Sequence, residues 1–277
     1  MESVVVAGVD WPVTLIGAAD RAVDALEAMD PAHRADDAGI GADGTSTAAA
    51  DAAAEAALLG FLAEEAPAAV LCSEEAGIVA GSTGGPGSGA LLIVDPVDGT
   101  NNVLAGIPYW AVSIAVVIDG VGAGGLVRNG ATGEDVFGWV GRGVRRGGRP
   151  VTTSAVTRLS RAAVALQRPA DPLALARCRR LLAAAKLPRM LGAAALDLAL
   201  VATGALDGYA NVNTDTSVPF GERVVDYAAG AVLVEAAGGV ATDASGAALP
   251  LEPDLGRHSP VVAAGTRALH ADLMARL

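Results

Sequence analysis

A chain of 277 residues with 52% apolar content can bury a substantial core, which excludes fibrous and disordered readings. Its 19 basic residues against 31 acidic ones leave a net charge of −12, so neither nucleic acid nor an anionic membrane is an expected partner. Met1 to Gly8 holds no basic, then apolar, leader, and nowhere do ~18 uncharged apolar residues follow one another, so the protein is expected to be soluble and cytoplasmic.

The predicted elements alternate in type along the chain. Val13 to Met29 repeats Val13, Ile16, Ala19, Val23 and Leu26 at helical spacing, and a second helix is predicted from about Ser46 to Glu65. Ala69 to Cys72 is a short β-type run ending in Ser73-Glu74-Glu75. After the loop Gly81 to Gly89 comes Leu91 to Val94, a fully apolar strand. That loop is no nucleotide cradle, because no Gly-Lys-Ser/Thr follows it. Ala111 to Ile118 reads as another buried strand, and Gly124 to Val151 as hairpins. Helices are then expected at about Pro172 to Lys186, Ala193 to Thr203 and Asp226 to Ala237, with strands near Gly208 to Val212 and Pro260 to Ala264. Interleaved strands and helices point to layered α/β or α+β architecture in a single domain, 1–277, with halves of about 1–155 and 156–277. Cys72 and Cys178 fit no ligand or disulfide spacing and read as buried free thiols.

Asp95 and Asp98 follow the apolar strand, with Pro96 stiffening the chain and Gly99 permitting a tight turn. Two carboxylates thus converge at a strand end, and Thr100-Asn101-Asn102 can open a helical turn whose free N–H groups suit phosphate oxygens. Asp-Pro and Asp-Gly are also plain turn formers. Glu74, past the preceding strand, and Asp226, at a helix start, stand where a shared cation site needs them. Their simpler readings are a solvated acidic pair and a helix cap. Hard oxygen donors of this kind suit Mg²⁺.

The string Asp95-Pro96-Val97-Asp98-Gly99-Thr100-Asn101-Asn102 resembles the DPIDGTxN signature of the inositol monophosphatase superfamily. Ser73-Glu74-Glu75 resembles its GEE element, and Val225-Asp226 through Glu235 to Gly239 its WDxAAG…EAGG element. Asp43 to Thr47 with Asp51 and Glu55 is similar to the archaeal-type enzymes active on fructose 1,6-bisphosphate and inositol monophosphate. The resemblance implies an αβαβα five-layer sandwich, a homodimer, two or three Mg²⁺ ions and inhibition by Li⁺. It implies that Glu74, Asp95 and the Val97 carbonyl hold one metal, that Asp95, Asp98 and Asp226 hold another, and that Glu74 helps with a third. Asp51 and Thr100 would then orient and deprotonate the attacking water, and the Gly99 and Thr100 amides would bind phosphate; the simpler reading of Asp51 is a surface group on an Ala-rich helix.

The match has departures. Pro219 replaces the glutamate with which inositol-selective members grip ring hydroxyls, Val225 replaces a tryptophan, and Gly39-Ile40 falls where some relatives carry a mobile-loop lysine. Arg223 matches an archaeal-type arginine and is a candidate to grip a second phosphate or a carboxylate, or a surface residue. Those enzymes carry a further arginine after the strand matching Gly208 to Val212, where this chain has Asn211-Val212-Asn213 and a longer loop. Asn211, Asn213, Asp215, Arg189 and Asp197 are the candidates to line the substrate pocket. The expected activity is phosphate release from a small sugar, polyol or nucleoside phosphate by metal-activated water. Alternatives are fructose 1,6-bisphosphatase or inositol-1-phosphatase proper, a nucleotide 3′-phosphatase and, from another class, a non-catalytic metal-binding scaffold.

Overall fold

The computed structural model describes residues 2–213 and 221–277, so Asp215 and Pro219 lie outside the described residues. Val5–Val6 (β1) and Val9–Asp10 (β2) make a short hairpin that feeds helix α1, Trp11–Ala28, with Pro12 in its first turn, where no N–H is needed. Of the predicted face, Ala19 and Leu26 are buried and Ile16 and Val23 pack partly buried against the core, while Val13 is 67% exposed; the centre of the buried stripe, Trp11, Leu15, Ala18 and Ala22, is rotated slightly from the predicted one. Small residues explain the rotation. Alanines count weakly in a hydrophobic pattern, yet Ala18 and Ala22 let α2, Ala49–Glu65, approach closely with Ala50, Ala54, Leu58 and Leu62.

Asp37–Ile40 (β3) and Ser46–Ala48 (β4) pair antiparallel ahead of α2, which is why that helix begins at Ala49 and not at Ser46. β3 is exposed throughout and carries no apolar period.

Val70–Ser73 (β5), Gly77–Val79 (β6), Ala90–Asp98 (β7), Ala111–Ile118 (β8), Val121–Asn129 (β9), Glu134–Trp139 (β10), Gly143–Arg146 (β11) and Arg149–Val151 (β12) form the larger sheet. Its order is β12-β11-β10-β9-β8-β7-β5-β6, parallel only between β5 and β7. Along β7 and β8, Leu92, Val94, Ile114 and Val116 pack with α1 and α2, while Ile93, Ala115 and Val117 join the core on the opposite face. Both faces are covered, so these strands read as continuous apolar runs. A short helix, α3 (Thr100–Leu104), caps the end of β7.

Ala163–Leu166 (β13), Leu187–Arg189 (β14), Gly208–Ala210 (β15), Val240–Asp243 (β16) and Val261–Ala264 (β17) form the smaller sheet in the order β14-β13-β15-β17-β16. Pro172–Ala184 (α4), Ala194–Ala202 (α5), Val224–Ala236 (α6) and Arg267–Met274 (α7) complete the chain. α5 and α6 fill the space between the sheets and are buried on nearly every side, as their all-round apolar sequences require. Gly230 makes their contact possible, because a Cβ there would stand 2.4 Å from that of Leu198. α4 and α7 cover the outer face of the smaller sheet. The layers are therefore αβαβα, the five-layer architecture expected. Among the described residues no helix is long and apolar enough to cross a membrane.

Candidate active site and metal centre

Asp95 and Asp98 sit three positions apart, a spacing that in a regular strand would send them to opposite faces. A bulge prevents this. Asp95 pairs with Ser113 and Asp98 with Ala111, so three steps on β7 answer two on β8, and both carboxylates emerge on one face. Val97 N–H donates to Asp95 Oδ1 at 3.0 Å and fixes that side chain. Gly99 then takes φ +96°, where a Cβ would also stand 3.1 Å from the Ala193 Cβ and 3.2 Å from the Tyr109 carbonyl oxygen. Only glycine fits there. The chain turns into α3, whose first turn receives no side-chain cap.

Four segments converge on this strand end. The N–H groups of Ala194 and Leu196, at the start of α5, donate to the two Asp98 oxygens at 2.8 and 3.0 Å, tying the larger sheet to the inter-sheet layer. Asp226 lies in the first turn of α6 and accepts the Arg223 N–H at 2.6 Å. Glu74 follows β5, and the turn that presents it is held by Glu55, which accepts the Ser73 hydroxyl and the N–H groups of Glu75 and Ala76, both at 3.1 Å. Asp51, in the first turn of α2, accepts the Thr100 hydroxyl at 2.8 Å, and that hydroxyl lies 3.1 Å from the Val97 carbonyl oxygen.

Burial is the first cause of the electrostatic state of this cluster. It pushes the Asp95 carboxyl well up from the ordinary range, and the charges of Glu74, Asp98 and Asp226 push it further. Glu74 is raised well up by burial and then by Asp226, Glu75, Asp43 and Asp51. Asp98 is raised in the same way, partly offset by the α5 N–H groups. Asp226 is raised by burial against the opposing Arg223 N–H and guanidinium. As the side chains stand, no group of three or more His, Cys, Asp or Glu among the described residues is arranged to hold a metal ion. Their carboxylates are turned instead to backbone N–H groups and to Arg223. Buried acids that raise one another's proton affinity are nonetheless the donor chemistry that a hard divalent cation stabilises.

Pockets open on both sides of the cluster. One, of about 370 Å³, is lined by Thr47, Asp51, Glu74, Glu75, Thr100 and Asn101 among others. The other, of about 240 Å³, is lined by Asp98, Gln167, Arg168, Ala194, Glu222 and Asp226 among others. Arg168 and Glu222 were not foreseen from sequence. Glu222 is buried, accepts the Tyr209 hydroxyl and the Asn211 amide, and is pushed up to about 8 by burial.

The predicted substrate contacts fare differently from the acids. Asn213 does border the second pocket, but its amide is taken by the Arg168 carbonyl at 2.8 Å and the Ala170 N–H at 2.7 Å. Asn211 is 1% exposed, with its amide on Glu222 and its carbonyl oxygen accepting the Asn213 N–H at 2.8 Å. Asp197 is withdrawn into the core, where the Tyr109 hydroxyl donates to it at 2.5 Å, and burial pushes it up to about 7. Arg189 is exposed on the edge strand β14 and folds back to the Pro188 carbonyl at 3.0 Å, away from both pockets. Arg223 lines neither pocket and faces the acids.

Raised acids have a consequence for stability. The folded chain holds protons on Asp197 to about 7 and on Glu222 to about 8, whereas unfolded carboxyls release them near 3.8 and 4.5. Over that window the folded state binds more protons, so stability falls as pH rises. Chelator-treated protein is expected to melt higher at about pH 5.5 than at about pH 8 by scanning calorimetry, and a melt that climbs with pH would contradict the burial of these acids in their protonated form.

A layered fold whose buried acids meet at one strand end, beside a Thr–Asp pair and open pockets, is suited to phosphate-ester hydrolysis with hard cations. The chain belongs to the inositol monophosphatase family, whose model matches residues 13–277. That family comprises phosphatases and is generally metal-dependent, which indicates the activity class. The fructose-1,6-bisphosphatase/inositol-1-monophosphatase of Methanothermobacter thermautotrophicus is 31% identical over 282 residues, covering 94% of this chain and 95% of the relative. The Nus factor SuhB of Pseudomonas aeruginosa is 33% identical over 203 residues, 71% of each chain. Among solved structures, the extragenic suppressor protein suhB of Bartonella henselae superposes with a TM-score of 0.81 at 28% identity, covering 96% of this chain and 97% of that one.

Proposed function

We propose that this protein is a Mg²⁺-dependent phosphomonoesterase that releases phosphate from a small sugar, polyol or nucleoside phosphate. The observation that carries the reading is the bulged end of β7, which turns Asp95 and Asp98 to one face beside Glu74 and Asp226 and sets Thr100 on Asp51. Glu74, Asp95 and the Val97 carbonyl would hold one cation, and Asp95, Asp98 and Asp226 a second. Bound there, the cations would acidify a water molecule and neutralise charge on the phosphate and the leaving alkoxide.

The chain's own groups do the rest. Thr100 presents its hydroxyl to the attacking water while donating to Asp51, so the water's proton has a path to the carboxylate. The water oxygen bonds to phosphorus, the ester P–O bond breaks, and the alkoxide leaves on the opposite side and takes a proton from solvent. The Gly99 and Thr100 N–H groups, at the uncapped start of α3, suit the phosphate oxygens. The pocket beside Asp98 and Asp226 would receive the alcohol, with Arg168 at its rim offering a charge to a second anionic group. The site then lies between the halves 1–155 and 156–277. The same reading includes a homodimer, Li⁺ sensitivity and a cytoplasmic setting.

Because a 31%-identical relative is named for two substrates, the test is a panel: fructose 1,6-bisphosphate, inositol 1-phosphate, 2′-AMP, 3′-AMP and nucleoside 5′-phosphates. Phosphate release is expected from at least one of them, dependent on Mg²⁺ and suppressed by chelator and by Li⁺. Release that survives chelation, or none from any member with Mg²⁺ present, defeats the reading.

A further inference from the structure

The Arg223 guanidinium points into the acid cluster and borders neither pocket. Its Nη1 lies 2.9 Å from Asp43 and 3.8 Å from Glu74, and its side chain is only 14% exposed. Its Nε is buried with no hydrogen-bond partner, so the guanidinium is not fully satisfied where it stands. Its charge also acts on Asp226, and the two carboxylates nearest its Nη1 are not equivalent. The Asp43 side chain is covered, and the Thr45 N–H and hydroxyl donate to it at 2.8 and 2.9 Å. The loop carrying it is pinned as well, with Ala42 N–H on the Glu75 carbonyl and Asp43 N–H on the Glu74 carbonyl at 2.9 and 3.3 Å. Glu74 is 21% exposed and reaches the Arg223 Nη1 only at 3.8 Å, so the guanidinium holds it less closely than it holds Asp43.

We infer that Arg223 is a built-in counter-cation of the metal centre: it neutralises Glu74 when divalent cations are absent and stays parked on Asp43 when Glu74 turns to a cation. The inference rests on the metal-dependent reading of Glu74. A guanidinium and a divalent cation then compete for one carboxylate, and Asp43 sets how hard the guanidinium competes. Asp43 is in this account a positioning residue that acts through Arg223, and Arg223 touches no substrate.

The test is Mg²⁺ titration by isothermal calorimetry on the full chain after chelation and dialysis, with thermal melts of each form. Arg223→Gln is expected to bind Mg²⁺ roughly tenfold tighter, because a positive charge a few ångströms from the site is removed. Its metal-free form should melt below the parent, with the gap closing at saturating Mg²⁺. Arg223→Lys keeps the charge and should stay close to the parent in affinity, so a folding defect in the Gln variant leaves the idea testable. Asp43→Asn releases the guanidinium onto Glu74 and should weaken Mg²⁺ roughly tenfold, yet add nothing in the Arg223→Gln background.

Substrate KM should be unmoved in Arg223→Gln. Unchanged or weaker Mg²⁺ binding in that variant overturns the inference, as does a raised KM, which would make Arg223 a substrate grip. An equal loss from Asp43→Asn in both backgrounds makes Asp43 a ligand and overturns it too. A parent chain that binds no Mg²⁺ defeats the metal-dependent reading itself, whereas Mg²⁺ binding indifferent to Arg223 defeats the inference alone.

Discussion

Replacing Asp95 by Asn should lower Mg²⁺-dependent phosphate release by roughly a thousandfold or more, while the chelated protein melts higher than the parent. Both effects follow from one carboxylate. Asp95 is 2% exposed, and one of its oxygens already accepts the Val97 N–H, a bond that an asparagine oxygen keeps. The strand end is therefore preserved, and what disappears is a negative charge that the two proposed cations would share. A cation centre supplies several kcal/mol of transition-state stabilisation, and each ~1.4 kcal/mol is tenfold in rate, which gives the expected loss. Without metal the same charge is a burden, since burial and the neighbouring acids already raise its proton affinity. Asp226→Asn should match the loss of activity but not the gain in melting temperature, because its carboxylate holds the Arg223 N–H at 2.6 Å and answers that guanidinium. Phosphate release at saturating Mg²⁺ and melts in chelator measure both. Retained turnover in either variant would remove Asp95 and Asp226 from the centre.

Why the cluster of acids was legible in the sequence and the lining of the pocket beside Asp98 and Asp226 was not has a physical explanation. Leu91 to Val94 is buried on both faces, so its apolar run stands out, and Asp95 marks abruptly where it ends. A strand end is a local feature. The bulge between Asp95 and Asp98 is not, because it depends on how β8 pairs, and it decides that both acids share a face. Asn211 and Asn213 are polar residues just past a strand and read as pocket groups, but the Asn211 amide donates to the buried Glu222 carboxylate and the Asn213 amide closes the backbone at Arg168 and Ala170. Arg168 escaped notice because β13, Ala163–Leu166, shows no contrast against an alanine-rich background, and only its parallel pairing with β15 brings the following loop to the pocket. α7 was missed for a similar reason: it buries only Leu269 and Leu273, and its one clear signal is the Thr266 hydroxyl that caps Leu269 N–H at 3.1 Å. Exposed β3 has no pattern at all, yet the loop that follows it supplies Asp43.

The Thr100–Asp51 pair makes the second large prediction. Asp51→Asn should reduce kcat by roughly a hundredfold to ten-thousandfold, the range expected when a positioned proton acceptor is lost. Thr100→Val, which keeps the shape and removes the hydroxyl, should do the same, and Thr100→Ser should restore most of the rate. Mg²⁺ affinity should change far less than in Asp95→Asn. The carboxyl of Asp51 is raised by burial, opposed by the Thr100 hydroxyl that donates to it, so it is a stronger base than an exposed aspartate. It accepts a proton only when ionised. Activity should therefore fall as pH drops through its elevated pKa, giving the kcat profile an acid limb above the ordinary aspartate range, and the residual activity of Asp51→Asn should lack that limb. Steady-state kinetics across pH with Mg²⁺ held saturating separates this from metal loss, since a protonated metal ligand is rescued by more Mg²⁺ and a protonated Asp51 is not. Near-parental kcat in both Asp51→Asn and Thr100→Val would show that the water is activated without them, leaving their 2.8 Å hydrogen bond as a tie between α2 and the end of β7.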